Sequence, residues 1–207
     1  MSCSTVSEFL RIRNQCVDML IDRGYSLNDI PKMPPTSLIS RYLSMSHEKG
    51  DSPMLDIPFS HNPILFLYEK DSLGIKSVQS RILHTLQYHS LDINTNITIV
   101  LLGSKFNDTI ESKLNKIFPV IQVFHWKSLR IPIQNHMLVP KHTKLDSESH
   151  DSIIKQYKLM SIYQLPGIQV SDPMARHLFL SIGDIVHIDR NGTDAYRVCV
   201  PPLQSIE

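Results

Sequence analysis

Two turn signals near the end of the chain leave little freedom in how that part folds. Asp172-Pro173 predicts a helix start, because the Asp172 carboxylate can cap exposed N–H groups and proline lacks the N–H that would need a partner there. Asn191-Gly192 predicts a hairpin turn between strand-forming stretches at 185–188 and 196–200, because both turn residues tolerate positive φ. We therefore expect a helix to about Leu180 and then a β-hairpin. Such a small unit is marginal alone and suited to docking on a partner.

Helix-like and strand-like stretches alternate through the first part of the chain. Apolar residues at three- and four-residue spacing predict a helix from Glu8 to about Arg23, which Gly24 ends. Further helices are predicted over 36–44, 75–91 and 108–117, and strands over 63–68, 96–102 and 120–125. This alternation indicates an α/β layer with some parallel strand pairing.

A polar stretch, 143–151, separates this part from the C-terminal segment. Its composition is typical of a loop, and we interpret it as a linker. The alternative is that Asp146 or Ser149 caps a helix that carries Ile153, Ile154 and Tyr157.

Composition excludes several classes of protein. The 207 residues are 42% hydrophobic with a net charge of +1, so a strongly basic nucleic-acid binder is excluded, although 101–130 is locally basic. No apolar run or signal-peptide pattern points to a membrane or to secretion, so we expect an intracellular protein. Cys3, Cys16 and Cys199 are expected to be reduced, the last two buried, and neither metal-ligand spacing nor a cofactor motif is present.

Motifs in register along nearly the whole chain carry a resemblance to a known family. They are Arg11–Tyr25 with its Arg-Gly-Tyr ending, Gly74-Ile-Lys76, His136–His142 (His-x-Leu-Val-Pro-x-His), Gln164–Gln169 (Gln-Leu-Pro-x-Ile-Gln) and Asp172–Arg176 (Asp-Pro-x-Ala-Arg). Together they resemble the fifth subunit of eukaryotic nuclear RNA polymerases, whose C-terminal half is similar to a small subunit of the archaeal enzyme.

The resemblance implies an α+β / α/β fold in two domains. An N-terminal α/β jaw domain would span 1–140, a linker 141–150, and a small mixed-sheet assembly domain with short helices and a terminal β-hairpin 151–207. The assembly domain would dock on the largest polymerase subunit, one copy per complex. The jaw would help to position downstream duplex DNA through weak, sequence-independent contacts. The resemblance implies no catalytic residue, metal or cofactor.

Three groups of site residues are expected, two of them from the resemblance and the third, the lysines, from the locally basic stretch 101–130. The subunit-assembly group is Gln164, Leu165, Pro166, Ile168, Asp172, Pro173, Ala175, Arg176, Arg190, Tyr196 and Arg197. The link between the domains is His136, Pro140 and His142, and the candidate DNA-phosphate contacts are Lys105, Lys113 and Lys116. Sequence leaves open which assembly residues face the partner and which serve the domain's own core. The lysines are equally consistent with a solvated helix face.

The chain departs from the family pattern in two places. The hairpin around 190–196 is shorter than in the family, and Asp108-Thr109 replaces a Thr-Pro in the jaw. Such drift favours a polymerase of a large nucleocytoplasmic DNA virus, working in host cytoplasm and virion, over a divergent protist enzyme in a nucleus.

Two other functions are compatible with parts of the sequence. A metal-dependent nuclease would need clustered carboxylates, for which Asp56 and Glu69-Lys70 are the nearest candidates, without the usual spacing. A free-standing adaptor that binds transcription regulators would have the same kind of surface as a polymerase subunit.

Overall fold

The computed structural model describes residues 6–25, 54–57, 64–69, 75–88, 98–103, 108–114, 116–118 and 121–202. The chain divides into two compact units. The N-terminal unit comprises Met1–Val17 and Ser26–Ile131, and the C-terminal unit comprises Asp18–Tyr25 and Pro132–Glu207. Within the described ranges, no helix combines the length and the apolar character needed to cross a membrane.

The N-terminal unit is built on a four-stranded sheet. Its strands are β1 (Met54–Ile57), β2 (Ile64–Glu69), β3 (Thr98–Gly103) and β4 (Ile121–His125), in the order β1-β2-β3-β4. β1 is antiparallel to β2, whereas β2, β3 and β4 run parallel. The helices α2 (Ile75–Tyr88) and α3 (Asp108–Leu114) lie between the parallel strands in the chain, as expected for crossover connections. The predicted α/β layer is therefore confirmed. The helix predicted over 36–44 lies outside the described residues.

The first helix, α1 (Val6–Asp22), ends as its sequence predicts. Gly24 has a φ of 93°, and its N–H donates to the Ile21 carbonyl at 2.9 Å. The Tyr25 N–H donates to the Leu20 carbonyl at 3.0 Å, which completes a Schellman motif. The apolar face of α1 buries Ile12, Cys16, Met19 and Leu20. Each fully buried aliphatic side chain contributes about 1.5–3 kcal/mol.

A second four-stranded sheet organises the C-terminal unit. Its strands are β5 (Lys141–Lys144), β6 (Gly167–Gln169), β7 (Ile185–Arg190) and β8 (Thr193–Val200), in the order β5-β7-β8-β6. β7 and β8 form the predicted hairpin, with Asn191 at φ 53° and Gly192 at φ 86° in a two-residue primed turn. β6 adds parallel to β8, and β5 adds antiparallel to β7. The mixed sheet confirms the predicted α+β class.

Two helices accompany this sheet, α4 (Ser147–Gln156) and α5 (Pro173–His177). The main core joins one face of the sheet to α5 and its C-terminal extension. It consists of Ile168, Ala175, Leu178, Leu180, Val186, Ile188 and Cys199. On the opposite face, Ile185 and Val198 are buried, and the Tyr196 ring packs edge-on against Tyr157 at the end of α4, with centroids 5.7 Å apart.

The structure corrects the prediction of a loop over 143–151. β5 continues to Lys144, and the Asp146 carboxylate accepts a hydrogen bond from the Ser149 N–H at 2.9 Å, so Asp146 caps α4 as the alternative interpretation had it. An edge strand and a helix whose side chains mostly face solvent have a polar composition, which resembles that of a loop.

The length predicted for α5 is also wrong. The helix ends at His177, three residues before Leu180, because Phe179 adopts a positive φ of 55°. The Phe179 N–H donates to Arg176 and the Leu180 N–H to Ala175, so the carbonyls of the last turn are satisfied without further helix.

Candidate functional site

A cleft of about 280 Å³ opens on the C-terminal unit beside the N-terminal end of α5. We call it the α5 cleft. Its floor is the face of the second sheet that carries Ile168 and Ile188, with His142, Arg190 and Arg197 around them. Its walls are the start of α5 at Asp172–Met174 and the segment 133–140.

The strand register explains why these floor residues share one face. His142 is paired with Ile188, and Ile168 with Cys199, so each pair projects to the same side of the sheet. Arg190 follows Ile188 by two residues and Arg197 precedes Cys199 by two, which returns both arginines to that side. Four strands thus bring two guanidinium groups to the margin of an apolar floor.

The wall formed by α5 depends on Asp172. Its carboxylate accepts a hydrogen bond from the Met174 N–H at 2.8 Å, and its carbonyl accepts the first helical bond, from the Arg176 N–H, at 2.9 Å. Pro173 follows at the first helical position, as predicted. Asp172 is therefore committed to starting the helix.

The other wall is a turn shaped by two histidines. The His136 Nδ1 accepts from the Leu138 N–H at 3.2 Å, and the His142 Nδ1–H donates to the Pro140 carbonyl at 2.7 Å. The turn leaves Leu138 79% exposed on the rim and Met137 92% exposed next to it. The three residues predicted as an interdomain link thus shape a wall of the α5 cleft.

The charge of the α5 cleft is positive. Arg197 donates to the Gly167 carbonyl at 3.2 Å, and Arg190 is exposed. Among the described residues, no carboxylate forms an ion pair with either guanidinium; the pairs that form elsewhere in the C-terminal unit include Lys144–Asp184 and His187–Asp194. Asp172 is the single acidic residue of the lining.

The opposite end of α5 is closed by the end of α1. Arg23 Nε donates to the His177 carbonyl at 2.7 Å and Nη2 to the Arg176 carbonyl at 3.0 Å. The Arg23 guanidinium also lies 5.3 Å from the centre of the Phe179 ring. The His177 Nε2–H donates to the Asp22 carboxylate at 2.8 Å. We call these residues, Asp22, Arg23, His177 and Phe179, the α5 cap.

Burial sets the protonation state of His177 in the α5 cap. His177 is 3% exposed, and desolvation lowers its pKa although the hydrogen bond and charge of Asp22 act in the opposite direction. Burial, and next the charge of Asp22, raise the pKa of the neighbouring Asp18. At neutral pH we therefore assign a neutral imidazole that donates Nε2–H to a carboxylate. Sequence reasoning treated Arg23 only as part of a helix ending and missed this role.

Several predicted assembly residues serve the unit's own structure. Ala175 is fully buried in the core. The Gln164 side chain accepts from the Met160 N–H at 2.7 Å and, in a capping box, from the Ser161 N–H at 3.4 Å. The Pro166 carbonyl accepts from the Val198 N–H at 3.0 Å, and Tyr196 packs against His187 with ring centres 5.2 Å apart. Leu165 is exposed. A further contact of any of them with a partner subunit stays a prediction.

The residues predicted to contact DNA are only partly described. Lys113, in the last turn of α3, and Lys116 are exposed, and Lys105 lies outside the described residues. Exposure is compatible both with a phosphate contact and with a solvated face.

The backbone disfavours the nuclease alternative. Asp56 is paired with Leu65, whereas Glu69 lies four residues further along β2, a distance of about 13 Å at the usual rise of a strand. Backbone positions so far apart do not favour a shared cation site. Across the described ranges, no three metal-binding side chains cluster either.

Comparisons with known proteins place the chain in a family. Residues 131–200, which contain the α5 cleft, match the family described as RNA polymerase Rpb5, C-terminal domain. The chain is 30% identical over 206 residues to the DNA-directed RNA polymerases I, II, and III subunit rpabc1 of Dictyostelium discoideum, covering 94% of this chain and 98% of that protein. It is 28% identical over 197 residues to the RPABC1 subunit of Caenorhabditis elegans, and 25% over 199 residues to the subunit 5-like protein 1 of Arabidopsis thaliana, each at 90% of both chains.

The chain forms two compact units, and its motif residues line an open cleft. Since its relatives match nearly its whole length, the chain falls in the class of DNA-directed RNA polymerase subunits. Within that class the chain belongs to the RPABC1 (Rpb5) family, as the sequence resemblance predicted.

Proposed function

We propose that this protein is a non-catalytic subunit of a multisubunit RNA polymerase and joins the complex, in one copy, through the α5 cleft of its C-terminal unit. The observation that carries this proposal is the gathering of family-motif residues in one open cleft. Pro140, His142, Ile168, Asp172, Pro173, Arg190 and Arg197 come from separate motifs and strands and all line it. A segment that only needed to fold would not have to assemble an exposed, positively charged cleft.

The partner that we propose for this face is the largest polymerase subunit, as the family resemblance implies. The cleft adjoins exposed apolar side chains at Met137 and Leu138, and large exposed apolar side chains in a group mark interaction surfaces. Docking would remove them from water. The protein acts inside the cell on this proposal.

For the N-terminal unit we propose a supporting role at downstream duplex DNA. Lys113 and Lys116 are exposed, as contacts to phosphates require. Such contacts supply affinity and register without reading bases. A few of them suffice, because a docked subunit already holds them at high local concentration.

The test is an affinity purification of the tagged full-length chain from cells or particles that express it naturally, with stoichiometry read by mass spectrometry. We expect the two large polymerase subunits at one copy each. Deletion of 144–207 should abolish their recovery, whereas tagging alone should not. Recovery of other proteins without the polymerase subunits would overturn the proposal and favour the free-standing adaptor.

A further inference from the structure

The size of the α5 cleft restricts what can occupy it. Small-molecule sites usually enclose about 300–1,000 Å³ and bury most of the ligand. The cleft measures about 280 Å³ and is open to one side. It accommodates one or two side chains of a bound polypeptide better than a whole metabolite.

The charge of the α5 cleft selects the chemistry of one of those side chains. Arg190 and Arg197 stand at the margin of the floor, and neither has a carboxylate partner within the described part of the chain. Asp172, which caps α5 through the Met174 N–H, is the one acidic residue of the lining, so the two arginines leave the lining net positive. A guanidinium presents a planar fork of donors that fits a carboxylate with two parallel hydrogen bonds. The complementary group is therefore an acidic side chain.

The floor and rim select the neighbour of that acidic side chain. Ile168 and Ile188 form the floor, and Leu138 stands exposed on the rim. An aliphatic side chain placed here would remove its own surface and that of Leu138 from water, at about 25 cal/mol per Å²; the two isoleucines are already at most 5% exposed.

A nucleic acid is a poorer occupant of the same cleft. Proteins that hold single-stranded nucleic acid stack its bases on aromatic side chains. The lining includes no phenylalanine, tyrosine or tryptophan on which a base could stack. The observations favour a polypeptide.

We propose that the α5 cleft binds a segment of the partner polypeptide in which an Asp or Glu stands beside an aliphatic residue. The carboxylate pairs with Arg190 and Arg197, and the aliphatic side chain enters between Leu138, Ile168 and Ile188. The inference rests on the proposed function, since the partner subunit supplies the segment.

Charge reversal tests the carboxylate. Full-length chain carrying R190E and R197E should recover about tenfold less polymerase than wild type, because a desolvated charge pair is replaced by repulsion. The double reversal K155E with K158E, at exposed positions in and just after α4, changes the net charge equally; it is the matched control and should recover the wild-type amount. Thermal unfolding of each variant shows whether it is folded, and R197K keeps a donor for Gly167 in case R197E unfolds.

Zero-length cross-linking identifies the occupant directly. A carbodiimide joins an amine to a carboxylate without a spacer, so R190K and R197K place a reactive amine at each position of the cleft while keeping the charge. We expect cross-links from 190 or 197 to an Asp or Glu of the recovered partner, next to Leu, Ile, Val or Met. The wild-type chain, which has no lysine at either position, gives the background.

The outcomes separate the two proposals. If the deletion of 144–207 loses the polymerase while R190E with R197E keeps it, the acidic segment is overturned and the docking role stands. If the wild-type chain recovers another protein instead, the docking role fails. Cross-links to that protein then show whether the α5 cleft binds an acidic residue beside an aliphatic one. The absence of partner cross-links from 190 and 197, cross-links only to carboxylates without an aliphatic neighbour, or ultraviolet cross-links at this cleft to nucleic acid alone overturn the inference.

Discussion

The two ends of the five-residue helix α5 differ in their contacts, although both belong to the motif Asp-Pro-Met-Ala-Arg: one end is bonded within the protein and the other borders an open cleft. At the C-terminal end, Arg23 and Asp22 satisfy the Arg176 and His177 carbonyls and the His177 ring within the protein. At the N-terminal end, Arg190 and Arg197 stand over an open cleft without an acidic partner in the described part of the chain. The contacts at the C-terminal end stabilise the fold, whereas the N-terminal end is where we expect a partner to bind.

The closed end also tolerates backbone strain. Phe179 has a φ of 55°, a conformation that costs an ordinary residue about 1–2 kcal/mol. Such a conformation persists only where its surroundings determine it strongly. Here the Arg23 guanidinium over the ring and the hydrogen bonds at 176 and 180 do so. Mutations at the two ends should therefore separate stability from binding.

The largest effect on stability is expected from R23A. It removes two hydrogen bonds from a charged donor and the contact with Phe179, which together should lower the free energy of unfolding by about 3 kcal/mol. Urea unfolding followed by hydrogen exchange of the C-terminal unit measures it. R11A, at an exposed position of the same helix, should change the stability by less than about 0.5 kcal/mol. Equal losses for the two variants would mean that the α5 cap is not a stabilising contact.

Acid should weaken the α5 cap next. The pKa of His177 is lowered in the folded state, so below its unfolded value of about 6.5 the unfolded chain binds more protons. Stability is therefore complete above that pH and falls as the pH drops through the folded pKa, by up to about 1.4 kcal/mol per pH unit. Arg23, Asp18 and Asp22 are the charged groups that act on it; the raised pKa of Asp18 acts nearer pH 4, with the opposite sign.

H177Q removes this titration and keeps a donor for Asp22. Thermal unfolding between pH 7.5 and pH 5 should therefore decline less steeply in H177Q than in wild type. Parallel declines would assign the acid sensitivity to other groups.

D172A should cost less than either change at the closed end. Loss of the helix cap at Met174 is expected to lower the free energy of unfolding by about 1 kcal/mol. D172N, which keeps an acceptor, should restore most of it in the same unfolding experiment. A D172A variant as stable as wild type would show that the start of α5 is held by packing alone.

The smallest effect on stability is expected from R190A. Arg190 is exposed, so the unfolding free energy should stay within about 0.5 kcal/mol of wild type. Its recovery of polymerase should nevertheless fall, the reverse of the pattern expected at the α5 cap. Destabilisation comparable to that of R23A would remove the distinction between the two ends.

Short sequence motifs correctly predicted the turns and helix ends that depend on only a few neighbouring residues. The Asp172-Pro173 helix start, the Asn191-Gly192 turn and the Gly24 cap each depend on one or two residues and formed where expected. β5 was missed, and α4 was given only as the alternative to a loop, because polar side chains dominate an edge strand and an exposed helix alike.

The sites were harder to predict because they depend on distant pairings. The α5 cleft needs the strand order β5-β7-β8-β6, which no periodicity reveals, and family motifs alone pointed to its residues. The contact of Arg23 with His177 spans 154 residues of chain and has no sequence signature of its own. The domain limits, the lysine contacts to DNA and the viral or protist origin stay predictions.

The separation of Arg23 from His177 along the chain also affects the order in which the C-terminal unit can fold during synthesis. At about 5–20 residues per second, a ribosome needs roughly 10–30 s to make the 154 residues between them. Throughout that interval the tip of the first helix has been made while the structure that it closes has not. The end of α1 is thus synthesised long before the rest of the C-terminal unit. It can form its contacts with α5 only after the later part of the chain has been made.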